Sequence, residues 1–130
     1  MLDHIGFTVS DYSRSRAFYE RVLAPLGYGP VMEVTQRETG PGGYEGCGFG
    51  PPSKPHFWIG TGTQASGGLH VAFVAGSLAA VDAFYSEAIA AGARDNGAPG
   101  LRPHYHPHYY GAFVFDLDGN NIEAVCHAPA

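Results

Sequence analysis

The strongest constraint on this chain is that it repeats itself. Asp3-His4-Ile5-Gly6-Phe7 is answered by Leu69-His70-Val71-Ala72-Phe73, and His70 follows His4 by 70 − 4 = 66 residues. Phe18-Tyr19 is answered by Phe84-Tyr85, again at 84 − 18 = 66. A helix-like segment follows each histidine strand. Two copies of a half-domain can face each other, and histidines at equivalent places then point into one cavity. A chain of 130 residues has room for two such copies and little else.

Each copy reads βαβββ. Leu2 to Val9 alternates as a strand does, and Ser10 or Asp11 can cap the helix that follows. Phe18, Val22 and Leu26 share one face of that helix, which Pro25 and Gly27 end. Residues 29–37, 44–49 and 56–60 read as strands, with Gly40-Pro41-Gly42-Gly43 as a turn. The glycine-rich run from Gly40 to Gly50 has no Lys-Ser/Thr, so it reads as a flexible flap or hairpin rather than a phosphate cradle. In the second copy Leu69 to Val74 is a strand, and Ser77 caps a helix that ends at Gly92. Asn96 to Pro107 holds a loop with a short strand. Tyr109 to Asp116 and Asn121 to Cys126 are strands joined by the Asp118-Gly119 turn. The modules are expected at 1–62 and 68–127, with a linker near 61–67.

Composition excludes several classes. Net charge is −5 with only seven Lys and Arg, which leaves no basic patch for nucleic acid. No run approaches the roughly 18 apolar residues of a membrane span, and the N-terminal segment lacks a signal-peptide pattern. Cys47 and Cys126 make no short-spaced motif, so two free thiols in a cytoplasmic protein is the expectation.

Strand parity then sorts the side chains. Ile5, Phe7 and Val9 lie toward the helix, leaving His4 with Gly6 and Thr8 on the other face. Val71 and Phe73 leave His70 with Ala72 in the same way. In the last strand Ile122, Ala124 and Cys126 share one face and Glu123 points from the other. Two imidazoles and a carboxylate suit a divalent ion (Zn, Fe, Mn, Ni or Co) with positions left for water or substrate. His4, His70 and Glu123 are therefore the expected metal ligands.

These residues carry a resemblance. Leu2-Asp3-His4-Ile5, Gly68-Leu69-His70-Val71-Ala72-Phe73 and Phe115-Asp116-Leu117-Asp118-Gly119-Asn120-Asn121-Ile122-Glu123 resemble the vicinal oxygen chelate superfamily, which includes glyoxalase I, extradiol dioxygenases, fosfomycin-resistance transferases and bleomycin-binding proteins. The third stretch is similar to that family's Asp-Pro-Asp-Gly-Asn…Glu signature, with Leu117 in place of proline. The resemblance implies an α+β fold of two βαβββ modules forming a curled mixed sheet around an open cavity. It also implies a divalent metal, a small-molecule substrate and a homodimer. Isomerase or lyase chemistry on a small oxygenated substrate is the leading expectation, with a related transferase or dioxygenase beside it. The competing class is a non-catalytic protein that binds an antibiotic-like molecule.

A uniform offset of 66 places Phe57 opposite Glu123, since 123 − 66 = 57. In bacterial glyoxalase I that place holds a metal-binding glutamate that also moves a proton, so typical glyoxalase I activity is not expected. Phe57 and Trp58 are expected to line the substrate pocket. The segment Arg102-Pro103-His104-Tyr105-His106-Pro107-His108-Tyr109-Tyr110 reads as a proline-pinned wall beside the cavity, or as a metal site of His104, His106 and His108. In the wall, Arg102 can hold a carboxylate or phosphate. His106 or His108 can act as general base, and Tyr109 or Tyr110 can donate to an oxyanion. Parity allows only one of the two tyrosines to face inward. The expected catalytic residues are His106, His108 and Tyr110, and the expected substrate contacts are Phe57, Trp58, Arg102 and Tyr109.

Overall fold

The structure is a computed structural model and describes residues 1–63 and 67–127. Residues 64–66 of the expected linker lie outside the described residues.

The first module contains β1 (Ile5–Thr8), α1 (Tyr12–Leu23), a 3-10 turn (Ala24–Leu26), β2 (Gly29–Val34), a one-turn α2 (Gln36–Thr39), β3 (Gly46–Gly50) and β4 (Phe57–Gly60). The second contains β5 (His70–Val74), α3 (Leu78–Ala90), β6 (Arg94–Leu101), β7 (Tyr110–Phe115) and β8 (Asn121–Cys126). The two sheets have the same order, β1-β4-β3-β2 and β5-β8-β7-β6. In each, the histidine strand pairs in parallel with the module's last strand, and the remaining pairs are antiparallel. These are two similar α+β modules built on open, mixed, four-stranded sheets. The compact units are not cut at one point, because residues 21–26 group with the second module. Arg21 Nε donates to Glu87 on α3 at 2.6 Å there. Among the described residues no helix is long and apolar enough to cross a membrane.

Local chemistry explains the element boundaries. Asp11 Oδ1 accepts from Arg14 N at 3.1 Å and so caps α1, and Ser77 Oγ accepts from Ala80 N at 3.1 Å and caps α3. Gln36 and Arg37, expected in a strand, are instead helical. Thr35 and Glu38 form a capping box, with Thr35 N donating to Glu38 at 2.7 Å, and this turns the chain out of β2. The expected loop from Asn96 is part of an eight-residue strand, β6, whose register breaks at Asp95/Gly97 and Gly97/Gly100. Those bulges disguise its alternation.

The glycine-rich flap is a correction. Gly46–Gly50 is the fully buried inner strand β3. Its glycines, with Gly60 of β4, are a bed for large side chains: a Cβ on Gly48 would stand 2.7 Å from Trp58, and one on Gly46 or Gly60 would strike the Tyr44 ring. Behind this strand lies an aromatic core. Phe57 packs edge-on to Phe7 and Tyr19 with ring centroids 5.4 and 4.9 Å away, and Phe49 is tilted beside it at 6.2 Å. Such pairs add about 0.5–1.5 kcal/mol each beyond the area they bury. In the second module Val71 and Phe73 are buried with Val81, Phe84 and Ala88 of α3. Val114, Ile122 and Ala124 complete that core.

Phe57 is 2% exposed and so lines the core rather than a substrate pocket. Strand register gives the reason. Gly6 pairs with Trp58, while its repeat partner Ala72 pairs with Glu123. The structural counterpart of Glu123 is therefore Trp58, at 123 − 58 = 65. The offset of 66 holds through the histidine strands and the helix starts, then falls to 65 by the second strands, which begin at Gly29 and Arg94. One residue fewer separates helix start from second strand in the second module. A shift of one residue exchanges the two faces of a strand.

Candidate functional site

His70 and Glu123 come together on the non-helix face of the second sheet. β5 alternates as parity requires, with His70 and Ala72 exposed and Val71 and Phe73 buried. β8 runs between β5 and β7, so Glu123 is 1% exposed. A buried carboxylate needs partners on both oxygens. Glu123 Oε1 lies 3.2 Å from His70 Nε2, and Oε2 accepts the Tyr109 hydroxyl. Gly111 makes this possible, because a Cβ there would stand 3.2 Å from both Glu123 and the Tyr109 ring. Burial, and then the bond to Glu123, push the Tyr109 phenol well above its usual range. Tyr109 therefore remains a proton donor.

The imidazole is set by its other nitrogen. His70 Nδ1 lies 3.1 Å from the Asn121 carbonyl, which can only accept, so the proton sits on Nδ1. In the neutral ring, the Nε2 lone pair then faces a carboxylate oxygen. Two lone pairs at that distance need a cation between or beside them, either a proton on Nε2 or a metal ion. An imidazole whose far nitrogen is tied to a carbonyl is also how metal-binding histidines are oriented. His70 Nε2 and Glu123 Oε1 are donor types that a divalent metal takes.

The turn before β8 holds Glu123 in place, and Asp116 organises it. Asp116 is buried and accepts from the backbone N–H groups of Asp118 and Asn120, each at 2.9 Å, and from the Asn120 amide at 3.2 Å. Asn120 Oδ1 in turn accepts from Leu69 N at 3.3 Å, beside the histidine strand. The expected turn names Asp118-Gly119, whereas the residue that organises it is Asp116, the first of the signature-like stretch. The Asp-x-x-Gly-Asn spacing, with Gly119 at φ +85°, was the available signal.

The other expected residues are distributed as follows. His4 precedes β1 and is exposed, with Nδ1 2.7 Å from Asp3. His4 and Lys54 together hold the Asp3 carboxyl down to about 2. Among the described residues no three His, Cys, Asp or Glu side chains gather as a metal cage, neither His104, His106 and His108 nor His4, His70 and Glu123. His104, His106 and His108 are exposed on the 102–109 loop. His106 Nδ1 accepts from His108 N at 3.1 Å, which occupies the nitrogen a neutral base would use. The tyrosine parity resolves in favour of Tyr109. Tyr110 faces the helix and donates to Asp82 Oδ1 at 2.6 Å, so the role given to Tyr110 passes to its neighbour. Trp58 lies with Tyr44, Gly6 and Thr8 in a recess of about 210 Å³ on the first module. Arg102 lies in a recess of about 340 Å³ on the second, with Tyr105 and Phe113.

A two-module fold of this order, with a His–Glu pair on the sheet face, defines a class. The chain belongs to the Glyoxalase/Bleomycin resistance protein/Dioxygenase superfamily, whose model matches residues 1–124. It is similar to a glyoxalase/bleomycin resistance protein from Albidiferax ferrireducens T118, at 29% identity and a TM-score of 0.79 over 99% of each chain. A family enzyme from Burkholderia phytofirmans PsJN is 19% identical, with a TM-score of 0.68 over 97% of this chain and 98% of that one. Glyoxalase I from Zea mays shares the fold at 19% identity and a TM-score of 0.72, matching 96% of this chain and 45% of its own length. Among curated proteins none matches.

Proposed function

We propose that this protein is a small divalent-metal enzyme that acts on an oxygenated small molecule by isomerase or lyase chemistry. The observation that carries the reading is His70 Nε2 lying 3.2 Å from a buried Glu123 oxygen while the Asn121 carbonyl and the Tyr109 hydroxyl hold both groups from behind. His70 and Glu123 are two ligands in this proposal and His4 is the third. When bound, an ion such as Zn, Fe, Mn, Ni or Co polarises a substrate oxygen and stabilises an enolate or alkoxide.

The chain's own groups do the rest. Asn121 keeps the proton on Nδ1 and so keeps Nε2 available. Tyr109 holds Oε2 and leaves Oε1 as the coordinating oxygen. His108 is the proposed general base, since the basic nitrogen of His106 is engaged by a backbone N–H. Trp58 stands where Glu123 has its counterpart, and an indole neither binds a metal nor takes a proton there. That supports chemistry other than glyoxalase I isomerisation.

Assembly as a homodimer and a cytoplasmic setting complete the proposal. Sheet-edge strands β2, β5 and β6 carry exposed Met32, Val74 and Leu101, which a partner can cover. Both cysteines are buried and unbonded, which suits a reducing compartment.

Metal analysis of the purified protein tests the reading. About one equivalent is expected, and His4→Ala, His70→Ala and Glu123→Ala should each weaken divalent-metal affinity at least about tenfold. Wild-type metal content in all three variants would overturn the ligand set. The recess at Trp58 and Tyr44 favours a second reading, a binder of aromatic or antibiotic-like molecules. That reading gains if reconstituted protein takes up no metal.

A further inference from the structure

We infer that the recess beside His70 is a carboxylate subsite, and that the substrate of this protein is a carboxylate-bearing small molecule held by Arg102. The substrate half of this inference rests on the function proposed above; the subsite stands on its own geometry. β6 and β7 pair Gly97 with Phe113, and the two residues line a recess of about 340 Å³ with Asn96, Arg102, Tyr105 and Asn121. Among the described residues no acidic side chain lines it.

Arg102 is held as a receptor group is held. Its two terminal nitrogens donate to the carbonyls of Ala98 and Gly100, each at 2.8 Å. The guanidinium carbon lies 5.4 Å from the centroid of the Phe113 ring. Glycine at 97 and 100 leaves room for this, since a Cβ at either place would stand 3.1 Å from a guanidinium nitrogen. A guanidinium has five N–H donors, so two bonds to carbonyls leave three unspent. Among the described residues no carboxylate pairs with Arg102, whereas Arg16 and Arg21 are paired with glutamates. In a chain of net charge −5 an arginine fixed in a recess without an acid partner is an unanswered cation.

The recess adjoins the His70–Glu123 pair through shared residues. Phe113 stacks with the His70 ring at 6.3 Å, and Asn121 lines the recess while its carbonyl holds His70 Nδ1. The Asn121 side-chain oxygen accepts from Asn96 Nδ2 at 3.2 Å, which closes one side with amides. A single guanidinium edge matches the two oxygens of a carboxylate. A phosphate would call for further positive charge, and among the described residues no other cation lines the recess.

The test uses benzoate, its neutral counterpart benzamide, and inorganic phosphate, with binding read by calorimetry on the intact protein. Benzoate should bind at least about tenfold more tightly than benzamide, because the difference between them is charge-assisted bonding worth a factor of ten or more. Arg102→Gln should abolish the preference, and Arg102→Lys, which keeps charge but loses the fork, should lose most of it. His70→Ala should keep the preference even where it has lost metal, which separates this site from benzoate ligation of an ion. Equal binding of benzoate and benzamide by wild type would overturn the proposal without any variant. So would phosphate binding more tightly than benzoate, or undiminished benzoate preference in a folded Arg102→Gln protein. Failure of the ligand set would appear instead in metal content, which Arg102→Gln should leave at the wild-type level.

Discussion

Tyr109→Phe removes one oxygen and asks what the bond to Glu123 does. The ring itself keeps its neighbours, with Tyr105 edge-on at 5.0 Å and His127 at 5.2 Å, so packing changes little. What disappears is an O–H donated to one oxygen of a carboxylate that is 1% exposed. A hydrogen bond to a charged acceptor contributes about 1.5–3 kcal/mol, and stranding a buried charged oxygen pushes the loss toward the upper end. For a chain of this size that is a fall of roughly 5–10 °C in melting temperature. The same bond orients Glu123, and losing an outer partner of a ligand weakens metal binding by about 10–100-fold. Urea denaturation measures the first effect, and competition against a metal-binding dye measures the second. Loss of stability with unchanged metal affinity would show that Tyr109 serves the fold alone. Stability within about 0.5 kcal/mol of wild type would refute the argument at its root, by showing that Glu123 does not need its donor.

Three other predictions follow from residues already placed. Phe57→Ala should cost about 3–5 kcal/mol because the ring fills the first module's core, and Trp58→Ala clearly less; equal losses on urea denaturation would contradict the assignment of faces. The wild type should not turn over the methylglyoxal–glutathione hemithioacetal at about 1 per second or faster, and such turnover would mean that a histidine supplies the missing base. Burial pushes the Cys47 thiol from 9.0 up to about 11. The folded state then holds that proton more tightly than the unfolded state, so this stability is complete below about pH 9 and is lost as pH rises toward 11. Urea midpoints measured across that range should fall, and should fall less steeply for Cys47→Ala; identical slopes would remove Cys47 as the cause.

Much of the architecture was legible because burial writes a period into strands and helices. The duplicated histidine motif, the two caps at Asp11 and Ser77, and the strand from Asn121 to Cys126 all have local signals, and the structure has them. The failures have physical causes. The strand expected at 44–49 is there as Gly46–Gly50, but its glycines read as a flexible flap rather than a buried strand because their role is to make room for Tyr44 and Trp58, which is a tertiary fact. β6 was obscured by two register breaks. Adjacent tyrosines 109 and 110 could not be told apart until the pairing of β7 with β8 fixed which faces Glu123. The pairing of His70 with Glu123 was readable from parity. Arg102 was readable as a candidate anion contact by type, but the two carbonyls that hold it belong to a strand hidden by its bulges.

The missing residue between α3 and β6 has a practical reach for anyone recombining the halves. A graft that copies the second module's last strands onto the first must be joined downstream of the helix and counted in the shorter frame. Joined in the longer frame, the carboxylate of Glu123 would land at position 57, in the middle of the Phe7, Tyr19 and Phe49 rings. Such a chimera would fail by burying a charge in hydrocarbon, and the failure would look like intolerance of a second carboxylate when it was an error of splicing.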